Sequence, residues 1–451
     1  MRTLRQHSVP NGTPNSWRVD ISPKLSARSI SACESLCRSL WHIEAFEEAA
    51  RMQEKSSLPL NRGWTPWSFS TGYAGAAVTM KLLGGLLESP VLIESAEKYL
   101  DAAVASLPFI RHPKVGLFDG LTGLCFAARM VDPELKSTHQ MVKHLESRLA
   151  SMTKERAELV NSSIGMPFGY FDTVSGLSGL GRYWLSSGNS PQAFACVELC
   201  ADSLSKLIRD SSHANPRWHT PSLLNSDPSL QKRFPQGTLN CGLAHGLAGP
   251  VAFLATVLTA GFEDDDFSEA LRTGANWLLN AKIQDDYGLN WPTVVPLSNE
   301  DNSGVRGARA AWCYGAPGIC RALWLAGKAL NDETLKMVAT DGLCAVHRRP
   351  VPLRAISSPT FCHGIAGLLH ITMRFANDAP EKDWHTAIEE VLTELLDAQE
   401  PDAYLPFRDL EPSGARIERP GLLEGACGIA LTLAAATSAV PPIWDAAMLL
   451  S

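Results

Sequence analysis

The chain has 451 residues, 45% of them apolar, and a formal net charge of −7, so it can bury a large core and carries no excess of cations. No block of Lys or Arg stands out, which argues against a nucleic-acid binder, and no apolar run of about eighteen residues marks a membrane span. The start, Met1-Arg2-Thr3-Leu4-Arg5-Gln6-His7, lacks the apolar core of a secretory signal, and the eleven cysteines are scattered and odd in number; a reducing cytoplasm with free or metal-bound thiols is the expectation.

Residues 1–28 are rich in Pro, Asn, Ser and Gly and read as a flexible N-terminal tail. Residues 29–54 follow with a helical apolar pattern that includes Leu36, Leu40, Ile43 and Phe46. Then a Gly-x-x-Gly opening appears and recurs. The pairs are Gly72/Gly75, Gly120/Gly123, Gly176/Gly179, Gly246/Gly249, Gly315/Gly318, Gly364/Gly367 and Gly425/Gly428. Each opens an apolar segment long enough for a buried helix, and amphipathic stretches such as 91–107, 134–152, 191–208, 267–283, 332–347 and 381–399 lie between them. One such pair means little. Seven in phase predict outer–inner helical hairpins whose inner helices crowd together where they lack Cβ atoms. The fold expected is therefore all-α, a closed α,α-toroid of seven inner and seven outer helices spanning 29–451, with every glycine loop on one face. Closure also removes the need for the capping units of an open solenoid. Insertions at about 211–240 and 285–310, and a third at 401–420 carrying Tyr404, Phe407 and Arg408, read as loops on that face that meet a substrate; 285–310 begins as a short extended hairpin.

The chemistry-bearing residues fall on the loops. Cys313 sits on a Gly/Pro turn in Trp312-Cys313-Tyr314-Gly315, and Cys362-His363 on a matching turn before Gly364. Two sulfurs and one imidazole leave a tetrahedral zinc one open position, which suits catalysis. Cys241, in Asn240-Cys241-Gly242, is the alternative fourth sulfur that would close the site. Cys33, Cys37, Cys125, Cys196, Cys200, Cys320 and Cys344 read as small buried hydrophobes. His245, directly before Gly246, is either a helix-start hydrogen bonder or a general acid/base. Asp172 is either a cap of the third inner helix or the group that orients His245; Asp119 reads as a cap. Arg309 is a surface cation or a stabiliser of developing negative charge, and Tyr314 hydrogen-bonds near the metal or simply packs.

These motifs, with His245-Gly246-Leu247-Ala248-Gly249, Asp172 before Ser175-Gly176-Leu177-Ser178-Gly179, and Leu423-Glu424-Gly425, jointly resemble the lanthionine synthetase C-like family, the lantibiotic cyclases, from residue 29 to the end. The resemblance implies the toroid with one zinc held by Cys313, Cys362 and His363, and His245, Asp172, Tyr314 and Arg309 around the reacting groups. Arg309 four residues before Cys313, and Tyr314 after it, match the bacterial peptide-modifying branch. The implied activity is a Michael-type addition of cysteine thiolates in a precursor peptide, with its leader, to dehydroalanine or dehydrobutyrine, giving lanthionine or methyllanthionine. His245 or a water it holds would protonate the enolate and Arg309 would steady it. The chain's length leaves dehydration to a separate dehydratase; an export transporter is the further implied partner, with the protein cytoplasmic or peripheral to the membrane through that complex. The rival readings are glutathione addition to dehydroamino acids and a non-catalytic, zinc-stabilised scaffold.

Overall fold

Glycine stands directly before six of the inner helices, and two residues before the seventh. The computed structural model describes residues 17–56, 64–107, 113–225, 227–297, 306–411 and 413–451. In chain order its helices are α1 (Pro23–Leu40), α2 (Ile43–Ser56), α3 (Tyr73–Leu86), α4 (Pro90–Ala105), α5 (Leu121–Val131), α6 (His139–Ser162), α7 (Leu177–Ser186) and α8 (Pro191–Arg209). A short α9 (Pro228–Arg233) is followed by α10 (Ala248–Thr259), α11 (Asp265–Asn280), α12 (Ala316–Leu330), α13 (Glu333–Arg348), α14 (Ile365–Asp378), α15 (His385–Asp397) and α16 (Ala426–Thr437). Helices α3, α5, α7, α10, α12, α14 and α16 each touch the next, and α16 returns to α3, closing an inner ring. Outside them α4, α6, α8, α11, α13, α15 and α1 each back one or two inner helices. The division follows from sequence: α10 and α16 are apolar on nearly every face and almost wholly buried, whereas α11 buries only the stripe Phe267, Ala270, Leu271, Gly274, Ala275 and Leu278.

The second glycine of each pair is where neighbouring repeats meet. A Cβ on Gly123 would lie 2.1 Å from the Leu117 carbonyl and 2.7 Å from Phe69 Cβ, and one on Gly428 would lie 2.0 Å from the Leu422 carbonyl and 3.1 Å from Phe361 Cβ. Any side chain there would force a loop away from its helix. Because the loops approach so closely, their backbones bond to one another in a belt. Ser70 N–H donates to Phe118, Phe118 to Val174, Thr173 to Ala244, Ala244 to Cys313, Cys313 to Cys362, Cys362 to Leu423, and Leu423 back to Ser70, at 2.7 to 3.3 Å. The belt closes the ring at its glycine end.

Inside the ring, a 3-10 turn at Ile443–Met448 and the residues after it fill the axis. Trp312 Nε1 donates to the Met448 carbonyl at 3.0 Å, and Arg321 Nε to that of Leu450 at 2.7 Å. Asp445, fully buried, accepts from His370 at 2.7 Å and from Arg374 Nη2 at 2.6 Å. Burial alone would raise its pKa, but the adjacent Arg374 and His370 hold it well below the usual carboxylate range. Asp445→Ala leaves these donors without their acceptor and is expected to lower unfolding free energy by about 3 kcal/mol or more. A urea midpoint equal to the parent's would refute this role.

Three short antiparallel pairs decorate the ring: β1 (Thr238–Asn240), β2 (Ile283–Asp285), β3 (Gly288–Asn290), β4 (Val294–Pro296), β5 (Asp409–Leu410) and β6 (Arg416–Ile417), with β1 on β4, β2 on β3, and β5 on β6. The hairpin expected near 285 is β2–β3. The boundary of the N-terminal tail needs correction. Residues 1–16 lie outside the described residues, but 17–28 are packed: Trp17 is buried with Nε1 donating to the Ala435 carbonyl at 2.8 Å, and α1 begins at Pro23. Proline suits the first helical turn, where its missing N–H costs nothing, and Leu25, Ser29, Ala32 and Leu36 continue the buried stripe.

Candidate metal and catalytic site

The belt decides which side chains meet. Cys313 and Cys362 are neighbours because the N–H of one donates to the carbonyl of the other at 3.2 Å, and Glu424 arrives through the Cys362–Leu423 link at 2.7 Å. The two thiols are close enough to influence each other's ionisation. That contact is the main reason the Cys313 thiol is drawn down to about 7, with His363 and Arg309 helping against burial; the same contact and burial push Cys362 well above its ordinary value.

His363 completes the cluster. Its donor nitrogen, the Cys362 sulfur and a Glu424 carboxylate oxygen all lie within 4.8 Å of one another, so these three can hold a metal ion; the Cys313 sulfur, expected as a ligand, lies outside that cluster, and its loop reaches it through the backbone bond to Cys362. The ring is fixed from both sides, with Nδ1 3.9 Å from Glu424 Oε1 and Nε2 3.4 Å from Asp409 Oδ1. Burial would lower its pKa, but Asp409 and Glu424 carry it upward. Asp409 is itself buried, accepting from Ser358 Oγ and from Arg419 Nε, each at 2.7 Å. Arg419 also binds Glu411 at 2.8 Å and lies 3.6 Å from Glu424 Oε2. Asp409 and Arg419 belong to the 401–420 insertion, which read as substrate-facing. Its Arg408 instead pairs with Glu400, Phe407 is buried, and the hairpin braces the cluster from behind.

Across the same face, Asp172 takes the second of the two roles left open for it, as the partner of His245. Its Oδ1 accepts from the N–H groups of Ser175 and Gly176 at 2.7 and 2.8 Å, bracing the turn before α7, whose start has no side-chain cap, while Oδ2 lies 2.6 Å from His245 Nδ1. A carboxylate accepts, so Nδ1 donates and Nε2 is left for other work. Burial would lower the His245 pKa; Asp172 outweighs it, with smaller help from Cys313 and Asp119, and the net direction is up. The Phe168 ring stands 4.7 Å from the imidazole and that of Tyr314 6.3 Å. The Tyr314 hydroxyl lies 3.5 Å from Asn240 Nδ2. Arg309 is exposed, and its charge reaches both thiols.

Two lesser expectations change. Asp119 pairs with Lys114 at 3.1 Å, and no side chain caps the start of α5. Cys241 is fully buried and is not among the converging donors of the described residues. Sequence reasoning passed over Asp409, Arg419 and Arg156, the last reaching from α6 to the carbonyls of Gly169 and Ser175, on either side of Asp172. A Gly-loop motif flags none of them, because each approaches from another element.

Residues 63–449 match the family model described as lanthionine synthetase C-like protein. The nisin biosynthesis protein NisC of Lactococcus lactis subsp. lactis is 25% identical over 327 residues, which is 72% of this chain and 77% of that one. A solved structure titled nisin cyclase superposes with a TM-score of 0.74 at 22% identity, covering 90% of this chain and 97% of that one, so the two share a fold.

Proposed function

Since the chain belongs to the lanthionine synthetase C-like family, we propose that it closes thioether rings in a dehydrated precursor peptide, adding cysteine thiols to dehydroalanine and dehydrobutyrine. The observation that carries this reading is the cluster of the Cys362 thiol, the His363 imidazole and Glu424, with the Cys313 loop bonded to Cys362, on the loop face that also holds the His245–Asp172 pair. Soft sulfur with nitrogen is a donor set that fits zinc, and Cys313, Cys362 and His363 would be its ligands. When bound, zinc holds an incoming cysteine as thiolate at neutral pH.

The remaining chemistry falls to side chains. As sulfur bonds to Cβ, the alkene electron pair moves onto Cα and the adjacent carbonyl. His245, loaded with a proton and turned by Asp172, gives that proton to Cα through Nε2 or a water on it. Arg309, exposed and unpaired among the described residues, steadies the enolate oxygen. Tyr314 orients the reacting peptide beside His245, and Phe168 shields the imidazole. A separate dehydratase would prepare the peptide and a transporter would export the product, the protein working in the cytoplasm or at the membrane within such a complex. Among the described residues no helix is long and apolar enough to cross a membrane.

Ring closure leaves mass unchanged but consumes thiols. Incubating the protein with a dehydrated, cysteine-bearing precursor and alkylating what remains should show thiols vanishing, and chelation should preserve them. Persistence of every thiol, or preferential capture of added glutathione, would overturn the proposal. The Asp409–His363 contact adds a second expectation. Asp409→Asn keeps the shape but loses the charge behind the imidazole, and should weaken zinc binding by roughly 10- to 100-fold in a chelator competition. Unchanged affinity would reduce Asp409 to a partner of Arg419.

A further inference from the structure

We infer that Glu424 is a displaceable fourth donor, closing the metal site in the resting protein and withdrawing to Arg419 when a substrate thiolate arrives. The inference rests on the reading that Cys313, Cys362 and His363 bind the metal. Three observations carry it. First, a Glu424 carboxylate oxygen already stands with the Cys362 sulfur and a His363 nitrogen inside a 4.8 Å cluster, the spacing of groups that share one ion. Second, accessibility rises across the donors in the order a leaving ligand requires. Cys313 is buried, His363 is 21% exposed and Glu424 38%, so the carboxylate is the donor an incoming peptide reaches first. Third, a dock for the released carboxylate is already built. Arg419 Nη1 lies 3.6 Å from Glu424 Oε2, and its guanidinium is 4% exposed and anchored by Asp409 and Glu411.

The chemistry gives the exchange its direction. A carboxylate oxygen is a hard donor and a thiolate a soft one, and zinc ranks between them, so cysteine sulfur replaces the weaker fourth ligand without disturbing the two sulfurs and the imidazole. The departing carboxylate stays an anion beside Arg419, and the thiol proton passes to water, so charge balances. The backbone need not move. A Cβ on Gly425 would lie 2.2 Å from the Arg419 carbonyl, which pins this turn against the hairpin and confines the exchange to the Glu424 side chain.

The test uses the full chain stripped of metal and reloaded with Co²⁺, whose visible spectrum reports sulfur count and coordination, with N-acetylcysteine amide as a thiol that cannot be cyclised. Glu424→Ala should bind Co²⁺ about tenfold more weakly without thiol, and Co²⁺-loaded Glu424→Ala should bind the thiol about tenfold more tightly, because no internal ligand competes. Glu424→Gln, which keeps the side chain's size, should follow Glu424→Ala in both respects. If neither affinity changes, or if metal binding weakens with no gain for the thiol, displacement is overturned and Glu424 is an ion-pair partner of Arg419. Cys362→Ala separates this from failure of the underlying reading: it must lose Co²⁺, and retention would overturn the ligand assignment itself, whatever Glu424 does.

Discussion

Alanine at Cys313, Cys362 or His363 is expected to take the protein from one zinc per chain to near none after dialysis against a weak chelator, and to abolish ring closure with it. The argument is local. Each of the three supplies one of few donors, and losing one of three or four ligands leaves a site that chelators and water outcompete. The fold should survive, because the belt that brings the loops together runs through backbone N–H and carbonyl groups that alanine retains. Cys241→Ala is the matched control. That sulfur is more deeply buried than any of the three, lies on the neighbouring loop, and stands apart from the cluster. It should keep its zinc. Metal analysis decides the matter: full zinc in the three variants would refute the assignment, and zinc loss in the Cys241 variant would move the site.

How much of this the sequence disclosed depends on what each contact needs. The glycine pairs were legible because close approach leaves a mark at a fixed position: Gly123 and Gly428 can be nothing larger where Phe69 and Phe361 lean on them. Once the loops share a face, Cys362 and His363 meet Glu424, and His245 meets Asp172, as a consequence of topology. Asp409 and Arg419 had no such mark. They sit in a two-stranded hairpin of an irregular insertion, and charged residues there read as solvated until the fold turns them inward behind His363. The N-terminal boundary failed for a different reason. Pro23 and the serines after it suggested a loop, while Pro at a helix start and a Leu25–Ser29–Ala32–Leu36 stripe point the other way. Asp172 is instructive in a third sense. A helix cap and a partner for His245 are equally compatible with its place in the motif, but the structure leaves the start of α7 without a side-chain cap: Oδ1 braces the preceding turn and Oδ2 meets His245.

That double duty shapes the second large effect. His245→Ala is expected to keep zinc but lower the rate of ring closure by roughly 10²- to 10⁴-fold, the span over which a positioned acid or base contributes. Asp172→Asn should produce a loss of the same kind. Its Oδ1 can still accept from Ser175 and Gly176, so the turn before α7 stays braced, but the amide turned to His245 would donate where the carboxylate accepted. The imidazole then loses the charge that favours its protonated form and the acceptor that fixes its tautomer. Because Asp172 acts through His245, the double variant should be little slower than His245→Ala alone. Additive losses would mean that the two work independently, and an unimpaired His245→Ala would assign the proton at Cα to another donor. Zinc content measured on the same samples separates a lost acid from a lost metal.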